Sequence, residues 1–199
     1  MSRFRIMDAS SQGGIPTLNL AGLCTSPWAW AATAASAKSA PAATPAMSMW
    51  LQPALTIGFN FTDKASQVLH GVFAKPWTPA FIRFGFAGGG NSGITIEGVI
   101  TLDVEYWNSH GEEGRIELLC HEHTHMPQWN HLGHVAFLLR YKKEFALGKA
   151  NYEVPPALSA LPISALEPDF CDDRFTLDQM CERAGARAIE VAKAKGFIP

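Results

Sequence analysis

The chain lacks long apolar runs and any excess of basic residues. No stretch approaches the roughly 20 apolar residues that a membrane-spanning helix needs, so we expect no membrane span. The 199 residues carry 16 Lys and Arg against 18 Asp and Glu, a formal net charge of −2. Nucleic-acid-binding domains ordinarily show a basic patch or stripe. The composition therefore predicts no nucleic-acid partner.

Cysteines are also few, and none belongs to a Cys-x-x-Cys pair. Cys24, Cys120, Cys171 and Cys181 are too few for a disulfide framework. We expect isolated thiols, with a Cys171–Cys181 bridge as the alternative. The N-terminus lacks the continuous apolar segment of a signal peptide, since residues 8–14 interrupt it. Localisation stays open between the cytoplasm and export by a signal-independent secretion system.

Residues 1–49 differ in composition from the rest of the chain. The stretch 31–47 is rich in Ala, Ser, Pro and Thr and has one charge, Lys38. Such a composition packs poorly and is typical of linkers. We interpret residues 1–49 as an extended arm or linker, part of which could be ordered, and residues 50–199 as the folded domain.

Strand patterns fall in the first half of that domain. Residues 81–86 alternate between apolar and other side chains, as a strand does. Residues 88–93, which are rich in glycine, favour a hairpin connection. Residues 94–107 predict one or two further strands, with Gly98 as a bulge or turn.

Helical patterns surround and follow these strands. Thr62 is suited to cap a helix that runs to about residue 73, and a capping box at 176–179 begins a final helix to about residue 195. Another helix begins at Glu112 and is expected to kink or end at Pro127, with a further helical pattern over 128–147. Short strands with separate helices predict the α+β class.

The helix that begins at Glu112 carries the sequence His121-Glu122-His123-Thr124-His125. Residues i and i+4 project from one helix face, so His121 and His125 could offer two imidazoles to one zinc ion. Glu122 is turned about 100° from His121 and could accept a proton from a water molecule there. The opposite face is largely apolar and carries His123, which we predict to be a hydrogen-bonded core or boundary residue and not a ligand. The alternative is a His-rich surface helix without metal.

A catalytic zinc typically takes three protein ligands, and three residues compete for the third position. Glu167 lies at a predicted helix start, where Pro168 suits the first turn, and it is the preferred candidate. His131 follows His125 with the spacing of metzincins, although Gln128 stands where those enzymes have glycine. Asp169 is the fallback. A separate hypothesis is that the thiolate of Cys24, in the arm, binds the zinc and latches the site until the arm is removed.

Two segments resemble a known family: LLCHEHTHMPQW at residues 118–129 and FLLRY at residues 137–141. They are similar to small bacterial zincin-like metallopeptidase domains of the gluzincin type, which occur alone or fused to type VI secretion spike proteins and other toxin-delivery proteins. The resemblance implies a small mixed or antiparallel sheet, an active-site helix and flanking helices. It implies Zn²⁺ as the cofactor, and a delivery-system or immunity partner.

The resemblance also implies roles for particular residues. His121, His125 and Glu167 would hold the metal, and Glu122 would act as general base. We therefore predict a zinc-dependent peptidase that acts on peptides or proteins, with a toxin effector as one setting. The alternative is a non-catalytic, metal-stabilised binding or scaffold domain. The strand over 99–106 is expected to bind an extended peptide by strand addition, and Tyr141 and Tyr152 are candidate oxyanion stabilisers.

Overall fold

A five-stranded mixed sheet and two long helices make up most of the fold. The computed structural model describes residues 44–55, 58–75, 81–87 and 91–199. Residues 1–43, with Cys24 and most of the predicted arm, lie outside the described residues. Thr44–Pro199 form one compact unit, and Trp107 Nε1 donates a hydrogen bond to the carbonyl of Ala46 at 3.2 Å. The folded unit thus begins before residue 50.

The strands of the sheet are short and confirm the α+β class. They are β1 (Leu51–Pro53), β2 (Phe59–Phe61), β3 (Phe81–Gly85), β4 (Gly93–Ile96) and β5 (Val99–Asp103). Their order across the sheet is β1-β2-β3-β5-β4. Only β3 and β5 pair in parallel, whereas the other neighbours are antiparallel.

The predicted hairpin connection at residues 88–93 is wrong. β5 lies between β3 and β4, so the two strands that this segment joins are not neighbours. The hairpin is formed instead by β4 and β5, which turn at Glu97 and Gly98 with positive φ angles of 46° and 83°. The turn predicted at Gly98 is confirmed, because glycine adopts such a φ without steric cost.

Five α-helices accompany the sheet in the described residues: α1 (Asp63–Val72), α2 (Val104–Ser109), α3 (Glu112–Phe145), α4 (Pro156–Ser159) and α5 (Leu177–Ala194). The predicted caps are confirmed, since Thr62 caps α1 and Thr176 forms a capping box with Gln179 at the start of α5. No described helix has both the length and the apolar content to cross a membrane.

The break that the sequence predicts at Pro127 is also wrong. α3 continues through Pro127, and the backbone leaves helical geometry at Gly133, where φ is 72° and ψ is 167°. Proline removes one helical hydrogen bond, but the side chains from Leu118 to Trp129 are all buried. Packing therefore keeps the backbone helical past the proline, and helical geometry is interrupted at Gly133, where glycine permits a positive φ.

The first half of α3 lies in the centre of the molecule. It packs along α5 on one side and against β4 on another. Ile116, Leu119 and Cys120 are fully buried and belong to the main hydrophobic core. This arrangement brings residues from α3, α5 and β4 together at one place.

Candidate metal centre

His121 and His125 lie side by side on the buried part of α3. Their ring centroids are 5.2 Å apart, and both residues are buried. The alternative of a His-rich surface helix is therefore wrong. Nitrogen atoms of both rings and the sulfur of Cys181 lie within 4.8 Å of one another, so this buried cluster could hold a metal ion.

Asp178, in the first turn of α5, faces the same two imidazoles. Its Oδ1 lies 3.3 Å from His125 Nε2 and 3.6 Å from His121 Nε2. The residue is 1% exposed, and its Oδ2 accepts a hydrogen bond from the buried amide of Asn151. Oδ1 has no aligned hydrogen bond, which is unusual for a buried carboxylate oxygen and indicates a site for an ion or water.

The other nitrogen of each imidazole faces an oxygen acceptor. His125 Nδ1 is 2.8 Å from Gln128 Oε1, and His121 Nδ1 is 3.2 Å from Glu182 Oε1 in a contact that is not aligned as a hydrogen bond. Metal-binding histidines commonly donate their second N–H to such an acceptor. Both rings are thus arranged with Nε2 directed toward Asp178.

The two contacts of Asp178 Oδ1 match the spacing of ligands in a tetrahedral metal site. Nitrogen and oxygen atoms at zinc-ligand distances lie roughly 3.3–3.5 Å from one another in a tetrahedral shell, and the contacts of Asp178 Oδ1 are 3.3 and 3.6 Å. Cys181 Sγ lies 3.7 Å from His125 Nε2, so it is a competing donor. The residues present therefore fit a zinc ion with two imidazoles and one donor from α5.

The electrostatics of the cluster favour an anionic Asp178. Burial acts to raise the pKa of this carboxyl, but the facing imidazoles of His121 and His125 outweigh burial and lower it. Burial acts to lower the pKa of His121, whereas Asp178 and Glu182 raise it well above its usual range. For Cys181, burial and the nearby carboxylates raise the pKa, so its thiol is protonated at neutral pH.

Glu122 lies beside this cluster and is held against β4. Its Oε2 accepts a hydrogen bond of 2.8 Å from Thr95 Oγ1. A Cβ atom at Gly93 would lie 2.6 Å from Glu122 Oε1, so this strand position leaves room for the carboxylate only because it is glycine. The structure thus fixes one of the two carboxylate oxygens of Glu122 against β4, and the charge of Glu122 acts to raise the pKa of His121.

Glu167 does not join the two histidines. Its Oε1 accepts a hydrogen bond of 2.7 Å from the backbone N–H of Ala74, just after α1 ends. Glu167 is not in the metal-competent group of the described residues, and neither is Asp178; that group is His121, His125 and Cys181. The structure thus does not bring Glu167 to the two imidazoles: its carboxylate binds a backbone N–H beyond the end of α1, and the carboxylates that face His121 and His125 come from α5.

The two other candidates for the third ligand bind each other. His131 Nδ1 and Asp169 Oδ2 are 2.7 Å apart, and the side chain of His131 is 51% exposed. His131 lies two residues before the bend at Gly133, near the molecular surface. This ion pair explains why neither residue is part of the buried cluster.

The remaining thiols and tyrosines have clear positions. Cys171 and Cys181 are both free, so the alternative disulfide does not form. Tyr141 packs with its ring centroid 5.9 Å from that of His125, and burial raises its pKa, as do the charges of Asp178 and Tyr152. Tyr141 is therefore a protonated phenol in contact with a candidate ligand. Burial raises the pKa of Tyr152 as well.

His123 is buried in the core, as predicted, but without the predicted hydrogen bond. It is 0% exposed, and its ring lies 5.1 Å from that of Phe73 and 5.7 Å from that of Phe61. Neither ring nitrogen has a partner among the described residues. Burial lowers the pKa of His123 to about 3, so the ring is neutral at pH 7.

The substitution His123→Leu is expected to stabilise the protein. An unpaired buried polar group costs about 1–3 kcal/mol, and leucine has a similar volume, so we expect the free energy of unfolding to rise by about 1–2 kcal/mol. Urea denaturation of the metal-free protein at pH 7 measures this. His70→Leu, at an exposed position of α1, is the matched control. A loss of stability in His123→Leu alone would show that the imidazole has a partner.

The expected site for strand addition is also corrected. The strand predicted over 99–106 ends at Asp103, where α2 begins, and β5 pairs on one side with β3 and on the other with β4. Both of its edges are occupied, so it cannot accept a peptide. Within the described residues, β4 has a partner on its β5 side alone, and β4 is the strand that contacts Glu122.

Four residues of the site were missed in the sequence. Asp178, Cys181 and Glu182 lie at i, i+3 and i+4 and therefore share one face of α5. The same rule places Gln128 on the face of His125. The sequence thus places three metal-binding residue types on one helix face, but it does not show that this face packs against α3.

Comparison with known proteins does not assign the chain to a family. No protein-family model matches the sequence, and neither a curated protein nor a solved structure matches it. The arguments for function therefore rest on the geometry of the cluster.

Proposed function

We propose that the protein is a zinc-dependent hydrolase of peptide bonds with a zincin-like active site. The observation that carries this proposal is the convergence of His121 Nε2 and His125 Nε2 on Asp178 Oδ1, a buried carboxylate oxygen without an aligned hydrogen bond. Glu122 lies next to the histidines on the same helix. Two imidazoles and one carboxylate as metal ligands, with a base beside them, are the groups of a hydrolytic zinc site.

In this proposal His121, His125 and Asp178 hold the metal. Zinc is favoured because nitrogen and oxygen donors in a tetrahedral arrangement suit it. Asn151 fixes Oδ2 of Asp178 and so directs Oδ1 toward the histidines. Cys181 is the competing donor, with Sγ 3.7 Å from His125 Nε2, whereas Asp178 Oδ1 lies closer to that nitrogen, at 3.3 Å.

When bound, zinc supplies a Lewis acid that polarises the scissile carbonyl and lowers the pKa of a water molecule. Glu122 takes one proton from the attacking water as its oxygen adds to the carbonyl carbon. Thr95 holds Oε2 of Glu122 during this transfer. Glu122 then delivers the proton to the leaving nitrogen as the carbon–nitrogen bond breaks. The second proton of the water passes from the new carboxyl group to the amine, so the products are a carboxylate and an ammonium group.

The substrate proposed is an extended peptide or protein segment. β4 has an unpaired edge among the described residues and touches Glu122 through Gly93 and Thr95. An extended peptide that pairs with this edge by main-chain hydrogen bonds would pass beside the base. Action as a toxin effector with an immunity partner remains part of the proposal on the strength of the sequence resemblance.

Cobalt substitution tests the proposed ligand set. We expect the purified chain to bind one zinc or cobalt ion. The visible spectrum of the cobalt protein should be that of a four- or five-coordinate ion with nitrogen and oxygen donors, and without a near-ultraviolet sulfur-to-cobalt charge-transfer band. The spectrum of Cys181→Ser should match that of the wild type. A charge-transfer band that is lost in Cys181→Ser would assign the third ligand to the thiolate and contradict the role of Asp178.

The second candidate is a non-catalytic, metal-stabilised domain. Burial favours it, since Glu122 is 4% exposed and His125 is 4% exposed, which leaves little room for a substrate in this conformation. Both candidates predict metal binding. Only the hydrolase predicts that peptides from a random library are cleaved and that cleavage depends on Glu122.

A further inference from the structure

Gln128 is a polar side chain at the centre of the molecule. It is 0% exposed, and burying an amide without partners is costly. Here both ends of the amide are used. Nε2 donates to the carbonyl oxygens of Phe170 and Leu177, each at 3.0 Å, and Oε1 faces His125 Nδ1 at 2.8 Å.

The orientation of this amide is set by its neighbours. Carbonyl oxygens only accept hydrogen bonds, so the NH₂ group of Gln128 must face Phe170 and Leu177. The amide oxygen must then face His125. Cys181 Sγ lies 3.6 Å from the same oxygen, where its thiol donates. The flipped amide would place its NH₂ group against the imidazole and its oxygen against two carbonyls.

A fixed amide oxygen determines where the proton of His125 resides. An acceptor opposite Nδ1 requires Nδ1 to carry hydrogen, and a neutral imidazole then has its lone pair on Nε2. Nε2 is the atom that faces Asp178 Oδ1 at 3.3 Å. The two carbonyls matter equally, because Leu177 is the first residue of α5 and directly precedes Asp178.

We propose that Gln128 is the positioning residue of this centre: it holds His125 as the Nδ1–H tautomer and ties the start of α5, with Asp178, to α3. The metal-binding consequence rests on the proposed function. In the protein without metal, Asp178 Oδ1 faces Nε2 at 3.3 Å and favours a hydrogen there as well, so the role of Gln128 is to hold the hydrogen on Nδ1. Gln128 is not a catalytic residue, since it acts through His125 and Asp178. Its removal leaves the ligand atoms present but lets them lose their relative orientation.

Nitrogen-15 NMR of the histidine side chains tests the tautomer directly. In wild type, we expect Nδ1 of His125 to carry hydrogen both without metal and with zinc bound, because Gln128 Oε1 faces it at 2.8 Å. In Gln128→Leu this preference should be lost, and the dissociation constant for zinc, measured by competition with a chromophoric chelator, should rise about 10–100-fold, the range typical of outer partners of metal ligands. Gln67→Leu, at an exposed position of α1, is the matched control and should change neither quantity.

A second variant covers the case in which Gln128→Leu fails to fold. Gln128→Glu keeps an acceptor opposite Nδ1 but cannot donate to the two carbonyls, so it should retain the Nδ1–H signature and still bind zinc more weakly. The Nε2–H form in wild type overturns the proposal without any variant, as does unchanged zinc affinity in a folded Gln128→Leu. If wild type shows the Nδ1–H form yet binds no zinc, the proposed function fails and the tautomeric role of Gln128 stands.

Discussion

Glu122→Gln is expected to lower kcat by about 10²–10⁴-fold, the range associated with loss of a general acid–base group. Glutamine has nearly the same shape and can still accept the hydrogen bond from Thr95 Oγ1 that Glu122 accepts at 2.8 Å. It cannot take a proton from water. The geometry of the site should therefore survive while turnover is lost.

Two measurements are needed for this variant. The first is kcat on a peptide selected from a cleaved library, and the second is zinc content, which should stay equal to that of wild type. Glu105→Gln, at an exposed position of α2, should have full activity. If Glu122→Gln cleaves as fast as wild type, Glu122 is not the base. If no peptide is cleaved by zinc-loaded wild type, the non-catalytic alternative replaces the hydrolase.

Asp178→Asn should weaken zinc binding by more than about 100-fold, beyond the 10–100-fold typical of residues outside the ligand set. The substitution removes the charge that faces both imidazoles. The new amide has only one oxygen. If that oxygen accepts the hydrogen bond from Asn151, the NH₂ group must face the imidazoles, where it cannot bind a metal. The zinc dissociation constant, from chelator competition, gives the result.

The matched variant for this experiment is Glu167→Gln. Sequence reasoning favours Glu167 as the third ligand, whereas its carboxylate binds the N–H of Ala74. We expect Glu167→Gln to bind zinc like wild type. Weak binding by Glu167→Gln and normal binding by Asp178→Asn would restore the sequence-based assignment and remove Asp178 from the centre.

The features predicted correctly are those that local chemistry determines. The caps at Thr62 and Thr176 depend on side chains within a few residues of a helix start, and both were identified. The pairing of His121 with His125 follows from the period of one helix. Glu122 likewise lies beside them because it is their neighbour in sequence.

The features predicted wrongly depend on contacts between distant segments. The third donor required knowledge of which face of α5 packs on α3, and the period of α5 alone could not provide it. β5 pairs in parallel with β3 and therefore lies between β3 and β4, the two strands that the glycine-rich segment joins. Turn residues in the sequence do not reveal this order of strands. At Pro127 a local rule predicted a break, but burial on all sides of α3 outweighed the cost of one lost hydrogen bond.

In the proposed metal site, the separation of the donors along the chain would link metal occupancy to folding itself. His121 and His125 come from α3, whereas Asp178 and Cys181 come from α5, so an unfolded chain presents no assembled site. A ligand that binds only the folded state stabilises it by mass action, by about 4 kcal/mol when the free ligand is at 1,000 times its dissociation constant. Zinc supply in the surrounding compartment would then set how long the chain survives proteolysis, as well as whether it is active.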